Sequence, residues 1–358
     1  MASAALKDVM AVLLQGYRLC RRPFFQKDSR HLPSRTRLGT ALGSLHRGGA
    51  ARGRFGLAVP FSPGVRLPEA ISGNKTTPSA YTPTRMRLAF LSLLVPAFLN
   101  AASFDHSLWD RVLKASVNDI GEVDYAKLKG NADLERYVGM IEKSSPGNEP
   151  KLFPSKADEL AYYINAYNAL VMSAVVKKYP VKSIGASLLS RGSFFRFTKH
   201  TVGGEKINLE DLENKVLRSP KYAEPRIHFA IVCASLSCPE LSRDAYTAAN
   251  LEQQLEFQAR QYFAETRNLS ADPKSNTVTL PAIMDWYKAD FEAFEKNSGK
   301  QALLAYALRY ATPQKRAAAE GLKSPRIVFR DYDWSINDPG SRARAKTPEE
   351  RELARRGP

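Results

Sequence analysis

The chain has 358 residues, a formal charge of +17 and 44% hydrophobic residues, so it is long enough for two domains and basic enough to attract polyanions. The placement of the charge excludes a basic nucleic-acid face as the leading reading. Residues 1–85 hold 14 Lys and Arg against three acids (Asp8, Asp28, Glu69), and the stretch from Ser341 holds six against three, which leaves the middle close to neutral.

Taken in chain order, residues 1–85 mix Arg, Ser, Gly and Pro without apolar periodicity. Such a stretch cannot bury enough surface to offset its ordering entropy, and it reads as a disordered or wrongly annotated extension. The character changes at Met86-Arg87, where an apolar run from Leu88 to Leu99 leads into Asn100-Ala101-Ala102. A basic start, about a dozen apolar residues and small residues after them form a secretory signal over 86–102, since a membrane span needs about 20. The alternatives are an uncleaved membrane anchor and an organellar transit sequence.

One globular domain is expected over 103–338, with a charged disordered tail at 339–358. Ser155-Lys-Ala-Asp158 has the form of a capping box, and Leu160, Ile164, Tyr167, Val171 and Val175 recur at helical spacing, so a helix runs from there to about Tyr179, before Pro180. Alternation from Phe194 to Val202, the Gly203-Gly204 turn and the return at Glu205–Ile207 predict a hairpin. Asn208 caps a short acidic helix to Arg218. Arg226–Cys233 has few polar residues and reads as a central strand. Further helices are predicted around Leu251–Phe263, Ile283–Phe294 and Gln301–Tyr310, with strands at Thr277–Leu280 and Arg326–Phe329. This irregular order predicts an α+β fold, helix-rich, with a small mixed or antiparallel sheet.

Three stretches carry a resemblance: Ala161-Tyr-Tyr-Ile-Asn-Ala-Tyr-Asn-Ala169, Arg226-Ile-His-Phe-Ala-Ile-Val-Cys-Ala-Ser-Leu-Ser-Cys-Pro239 and Trp286-Tyr-Lys-Ala-Asp-Phe291. In this order and spacing, with Val123-Asp-Tyr125 and Tyr332-Asp-Trp334 at the flanks, the chain resembles the domain-of-unknown-function family 547 over roughly 106–337. The resemblance implies an often-secreted bacterial domain with no agreed activity. Relatives in plants and animals join it to coiled coils or glutaredoxin-like modules, a context of interaction or thiol chemistry.

The residues able to carry chemistry are few. Cys233 ends the predicted strand, and Cys238 precedes Pro239, where a helix turn would lower its pKa. The pair reads equally as a structural disulfide, as inert core thiols or as a functional thiol. A nucleophilic thiol needs a base, and beyond residue 102 only His106, His200 and His228 are available. On a strand His228 and Cys233 would face opposite sides about 16 Å apart, which leaves His200, or His228 through a folded-back loop, for Cys238. No histidine follows Cys238, so a Cys–His site would need a permuted chain order. Asn168 or Asp290 would orient the base. The plainer reading makes Asn165 and Asn168 buried amides tied to backbone, and Asp290 a cap or ion-pair partner.

No nucleotide-binding glycine loop, paired-histidine metalloprotease helix or paired Cys-x-x-Cys motif occurs. A mixed site from His200, His228, Cys233 and Cys238 is weighed and set aside, so neither metal nor cofactor is expected. The sequence therefore predicts an exported domain with a cleft beside the Cys233–Pro239 loop, taking a peptide, envelope component or small molecule, with thiol-dependent hydrolase or transferase activity. The alternative is a non-catalytic binding or interaction module with a Cys233–Cys238 disulfide.

Overall fold

A computed structural model of the protein describes residues 103–342 apart from 186 and 297. The extension at 1–85, the signal at 86–102 and the tail beyond 342 lie outside the described residues. Arg342, assigned by its charge to the tail, is buried inside the domain at 1% exposure.

Helix α1 (Ser107–Ser116) packs on helix α2 (Ala132–Lys143), which in turn packs on the long helix α3 (Lys156–Val176). The capping box at the start of α3 is formed: the Ser155 side chain accepts from the Asp158 amide, and the Asp158 carboxylate accepts from the Ser155 amide at 3.0 Å. Apolar residues surround α3 on most of its circumference, including Leu160, Ile164, Leu170 and Val175, which makes it the axis of the larger core.

The predicted hairpin is β1 (His200–Val202) against β2 (Glu205–Ile207), antiparallel. It is shorter than the sequence predicts, because Gly192–Phe197 winds as π-helix. Gly203 is required at the turn: its φ is +57°, and a Cβ there would strike the Ser145 side chain. A turn of α-helix at Leu209–Asp211, capped by Asn208, continues as π-helix over Leu212–Leu217.

A second core gathers around helix α4 (Leu251–Ala264) and a three-stranded sheet. Its strands are β3 (Ser270–Asp272), β4 (Thr277–Pro281) and β5 (Arg326–Arg330), with β3 antiparallel and β5 parallel to β4. Between β4 and β5 run helix α5 (Ala282–Trp286), helix α6 (Lys288–Phe294), helix α7 (Ala302–Tyr310) and helix α8 (Pro313–Glu320). The predicted Ile283–Phe294 helix is thus broken at Tyr287. The architecture is helix-rich α+β with one antiparallel hairpin and one mixed sheet.

The predicted central strand does not form. Arg226–Cys233 is not a strand: Pro225–Phe229 is a 3-10 helix, and the residues after it run without a sheet partner. An apolar run bounded by turns does not specify strand over other buried conformations, and here its backbone groups are met by a side chain instead of a sheet neighbour. The segment lies at the seam of the two cores, with Ile227, Ala230 and Val232 in the first and Phe229 in the second.

Candidate functional site

The seam is tied to α3 by Asn168. Its Nδ2 donates to the Ala230 carbonyl at 3.0 Å and its Oδ1 accepts from the Val232 amide at 2.8 Å. Asn165, one turn earlier, does the same for Tyr246, accepting from its amide at 2.9 Å and donating to its carbonyl at 2.7 Å. Asn165 thus meets both backbone groups of Tyr246, and Asn168 spans the carbonyl of Ala230 and the amide of Val232, where a sheet neighbour would otherwise be needed.

Held this way, the chain enters a tight loop at Cys233. Ala234 has φ +64°, a left-handed conformation costly for a residue with a Cβ, and Leu236–Ser237 turn the chain so that Cys238 comes back over Cys233. Pro239 starts no helix, so the capping amides expected at Cys238 are absent from the described fold. The last segment of the domain clamps the loop instead. Ser335 accepts from the Leu236 amide at 2.7 Å, and Asp333 accepts from the Ser237 amide at 3.2 Å. Two arginines close the other side, where the buried Arg342 donates to the carbonyls of Cys238 (2.8 Å) and Pro239 (3.0 Å) and the half-buried Arg267 donates to that of Leu236.

The two sulfurs are 2.6 Å apart, and both cysteines are free. The Tyr332 hydroxyl lies 3.2 Å from Cys233 Sγ, 3.1 Å from Cys238 Sγ and 2.8 Å from Ser235 Oγ. The Cys233 amide donates to Cys238 Sγ at 3.0 Å. Burial works against a thiolate on Cys238, but the bonds from Cys233, Ser235 and Tyr332 outweigh it and bring the thiol down to about 6. Burial, reinforced by the neighbouring Cys238, pushes the Cys233 thiol up. The two shifts run in opposite directions, so of the pair Cys238 is the thiol that ionises first. Cys233 is half-buried and Cys238 is 3% exposed, so Cys233 is the less buried residue of the two. Above it Trp286, Tyr332 and Trp334 form a half-exposed aromatic cluster, with Tyr332 4.7 and 4.6 Å from the two indoles.

The histidines lie elsewhere, and none is a hydrogen-bond partner of either sulfur among the described residues. His228 Nε2 donates to Asp290 Oδ2 at 2.8 Å, and its ring stacks on Tyr287 with centroids 3.9 Å apart. Arg218 grips the same carboxylate through two bonds of 2.7 and 2.8 Å. Burial would raise Asp290, but His228 and Arg218 outweigh it and hold its carboxyl well below the usual carboxylate range. His200 sits in β1 with Nε2 buried and unpartnered among the described residues. Of the residues singled out by sequence, the fold joins Cys233 to Cys238 and His228 to Asp290, and places Asn168 behind the loop. It does not join either group to His200, nor the sulfurs to an imidazole.

His106 lies at a different place, a cleft of about 870 Å³ lined also by Phe104, Asp110, Asp158 and Asp244. Asn165 fixes its tautomer. That amide is oriented by Tyr246, so its Nδ2 must donate to His106 Nδ1 at 3.2 Å, which leaves the ring proton on Nε2. Burial lowers both His106 and His200 to about 4. Each binds its proton more tightly in the unfolded chain, so each stabilises the fold fully above about pH 6.5 and loses that contribution as pH falls toward 4. The melting temperature should therefore decline between pH 6.5 and 4, and His200→Asn should flatten the decline. A variant that melts as steeply with acid as the parent would remove His200 from this account.

Sequence reasoning missed Tyr332, Arg267 and Arg342 as parts of the site. Tyr332 gave a signal through the Asp331-Tyr-Asp-Trp334 run, and Ser235 stands two residues from Cys233 in the same motif; the two arginines become neighbours only through folding.

Fold and site together define a helix-rich α+β domain with a buried, tyrosine-bridged pair of thiols at the seam of two cores. Residues 153–263 match the model of a family described as "Protein of unknown function, DUF547". The match supports the resemblance read from the sequence. It includes the Ala161–Ala169 and Arg226–Pro239 motifs, while Trp286–Phe291 and Tyr332–Trp334 lie beyond it. No curated protein and no solved structure matches the chain. No described helix is long and apolar enough to cross a membrane.

Proposed function

We propose that this domain is a thiol–disulfide centre whose Cys233 and Cys238 exchange with a disulfide carried by a peptide, an envelope component or a small molecule. The single observation behind this reading is the 2.6 Å approach of two free sulfurs that have hydroxyl and amide partners and, among the described residues, no imidazole partner. Hydrolysis by a lone thiol needs a base within hydrogen-bond reach, and the sulfurs have none among the histidines. Exchange needs only a thiolate and a second thiol.

In the forward direction the Cys233 sulfur, having passed its proton to Cys238, attacks one sulfur of the ligand disulfide. That S–S bond breaks and the first thiolate leaves. Cys238 then attacks the Cys233 sulfur, the mixed disulfide breaks, and the second thiolate leaves. The protein loses two electrons and the one thiol proton the pair holds when Cys238 is a thiolate; the ligand gains both electrons, one departing thiolate takes that proton and the other takes one from solvent. The aromatic cluster of Trp286, Tyr332 and Trp334 would hold the ligand against Cys233.

Equilibration in dithiothreitol buffers of graded potential, followed by alkylation and mass measurement, tests the reading. A reversible two-electron transition is the expected result. Two sulfurs that stay free under oxidant end the proposal. A bridge that resists reduction below about −300 mV makes it a structural staple, the second reading, which the 3% exposure of Cys238 favours.

Export through the signal at 86–102, with the domain periplasmic or secreted, belongs to the same proposal. The Met86–Leu99 pattern supports it, and a disulfide-permissive compartment is where such a pair would cycle. N-terminal sequencing of mature protein from its native source should find a start near residue 102. A start within 1–85 rules out cleavage there.

A further inference from the structure

Strand β5 is an open edge. It pairs with β4 alone among the described residues, whereas β3, at the other end of the sheet, is packed by α8. The Arg326 amide donates to the Asn276 carbonyl at 3.0 Å, so in the parallel ladder Arg326, Val328 and Arg330 turn their backbone groups toward β4. Ile327, Phe329 and Asp331 turn theirs outward, where they meet no partner among the described residues. Such an edge is a template for another strand. Its sequence holds no proline, and Phe329 is 37% exposed on the face it shares with Ile327. On the opposite face Arg326 and Arg330 are exposed and have no carboxylate partner among the described residues.

The chain carries the same alternation past the sheet. Even residues bond to one side, Trp334 to Ser183 and Ile336 to Lys182. Odd residues bond to the other, Asp333 to Ser237, Ser335 to Leu236 and Asn337 to Ala234. By that parity the cysteine loop lies in line with the open edge of β5, on the same side of the chain. Tyr332 stands between the two stretches, with its hydroxyl 3.2 Å from Cys233 Sγ.

We propose that the open edge of β5 takes an extended polypeptide segment as an added strand and delivers its disulfide to Cys233. The inference rests on the thiol–disulfide reading above and narrows its ligand to a peptide. Main-chain bonds to Ile327, Phe329 and Asp331 hold the segment, with an apolar side chain beside Phe329 and carboxylates beside Arg326 and Arg330. A small-molecule disulfide and an envelope polymer without peptide backbone lack those groups. A second copy of β5 fits worse, because antiparallel pairing over the whole strand sets Arg326 against Arg330 at both ends.

The test uses the reduced whole protein and a labelled peptide of alternating Val and Glu, with binding read by fluorescence anisotropy. Methylating one alternating set of peptide amides, those of Val or those of Glu, should weaken binding about tenfold, and methylating the other set should not, because only one set faces the edge. Phe329→Pro removes an outward amide and none of the bonds to β4, and should also cost about tenfold in affinity. Reversing charge with Arg326→Glu and Arg330→Glu together should turn the preference, about fivefold for Glu over Lys in the parent, toward a Val and Lys peptide. That gain cannot come from a folding defect. With a terminal Cys in disulfide linkage to an aromatic thiol, the Val and Glu peptide should react faster than the free aromatic disulfide in the parent and no faster in the Phe329→Pro protein. Equal affinity for every peptide ends the docking inference and leaves the thiol reading in place. Binding without exchange of either disulfide refutes the thiol reading and the delivery to Cys233 with it. A concentration-dependent dimer that Phe329→Pro dissolves would give the edge to a second copy and overturn the inference.

Discussion

Cys233→Ser should reduce exchange with an aromatic disulfide to background, whereas Cys238→Ser should complete the first attack and stop as a trapped mixed disulfide. The asymmetry follows from access and charge. Cys233 is the less buried residue of the pair and lies beside the aromatic cluster, and Cys238 is enclosed by Ser235, Tyr332 and the carbonyls that Arg267 and Arg342 hold. Attack from outside must therefore begin at Cys233, and Cys238, whose negative charge is favoured by its bonds, is placed to resolve. Mass measurement without reductant reads the trapped adduct, and absorbance of the released aromatic thiol reads the rate. Trapping by the Cys233 variant instead would reverse the order of attack, and parental rates in both variants would remove the thiols from the function.

The largest stability effect is expected at Asn168. Asn168→Ala leaves the Val232 amide and the Ala230 carbonyl buried without their partner, at about 1–3 kcal/mol for each unsatisfied group. A loss of about 2–4 kcal/mol lowers the melting temperature by roughly 5–15 °C in a domain of this size. Because the held residues lead directly into Cys233, the same change should loosen the sulfur pair and lower the yield of disulfide under mild oxidant. Asn168→Asp keeps the acceptor for Val232 and loses the donor to Ala230, so it should fall between. Calorimetry and an alkylation count decide the matter. A melting temperature within about 2 °C of the parent would mean that the segment is held by packing alone.

How much of this was legible can be judged from particular elements. Helix α3 was readable because its start is local chemistry: Ser155 and Asp158 meet three residues apart, and Pro180 follows its end. The Gly203 turn was readable because left-handed backbone leaves few choices of residue. Arg226–Cys233 was misread because its apolar composition records burial and not the partner of its backbone, and that partner is an amide 64 residues away in α3. The error reached the site. A strand puts His228 and Cys233 on opposite faces, whereas the 3-10 turn sends His228 to Asp290 and lets the chain fold Cys238 back on Cys233.

The sequence by itself determined the helix-rich α+β character and the short list of candidate side chains, since each depends on composition or on contacts within a few positions. Only the tertiary structure decided which of those side chains meet. Tyr332 reaches Cys233 across 99 residues, Arg342 reaches Cys238 across 104, and Asp290 reaches His228 across 62. Contacts at such separations are fixed by how the two cores close on the seam, and no local propensity encodes that.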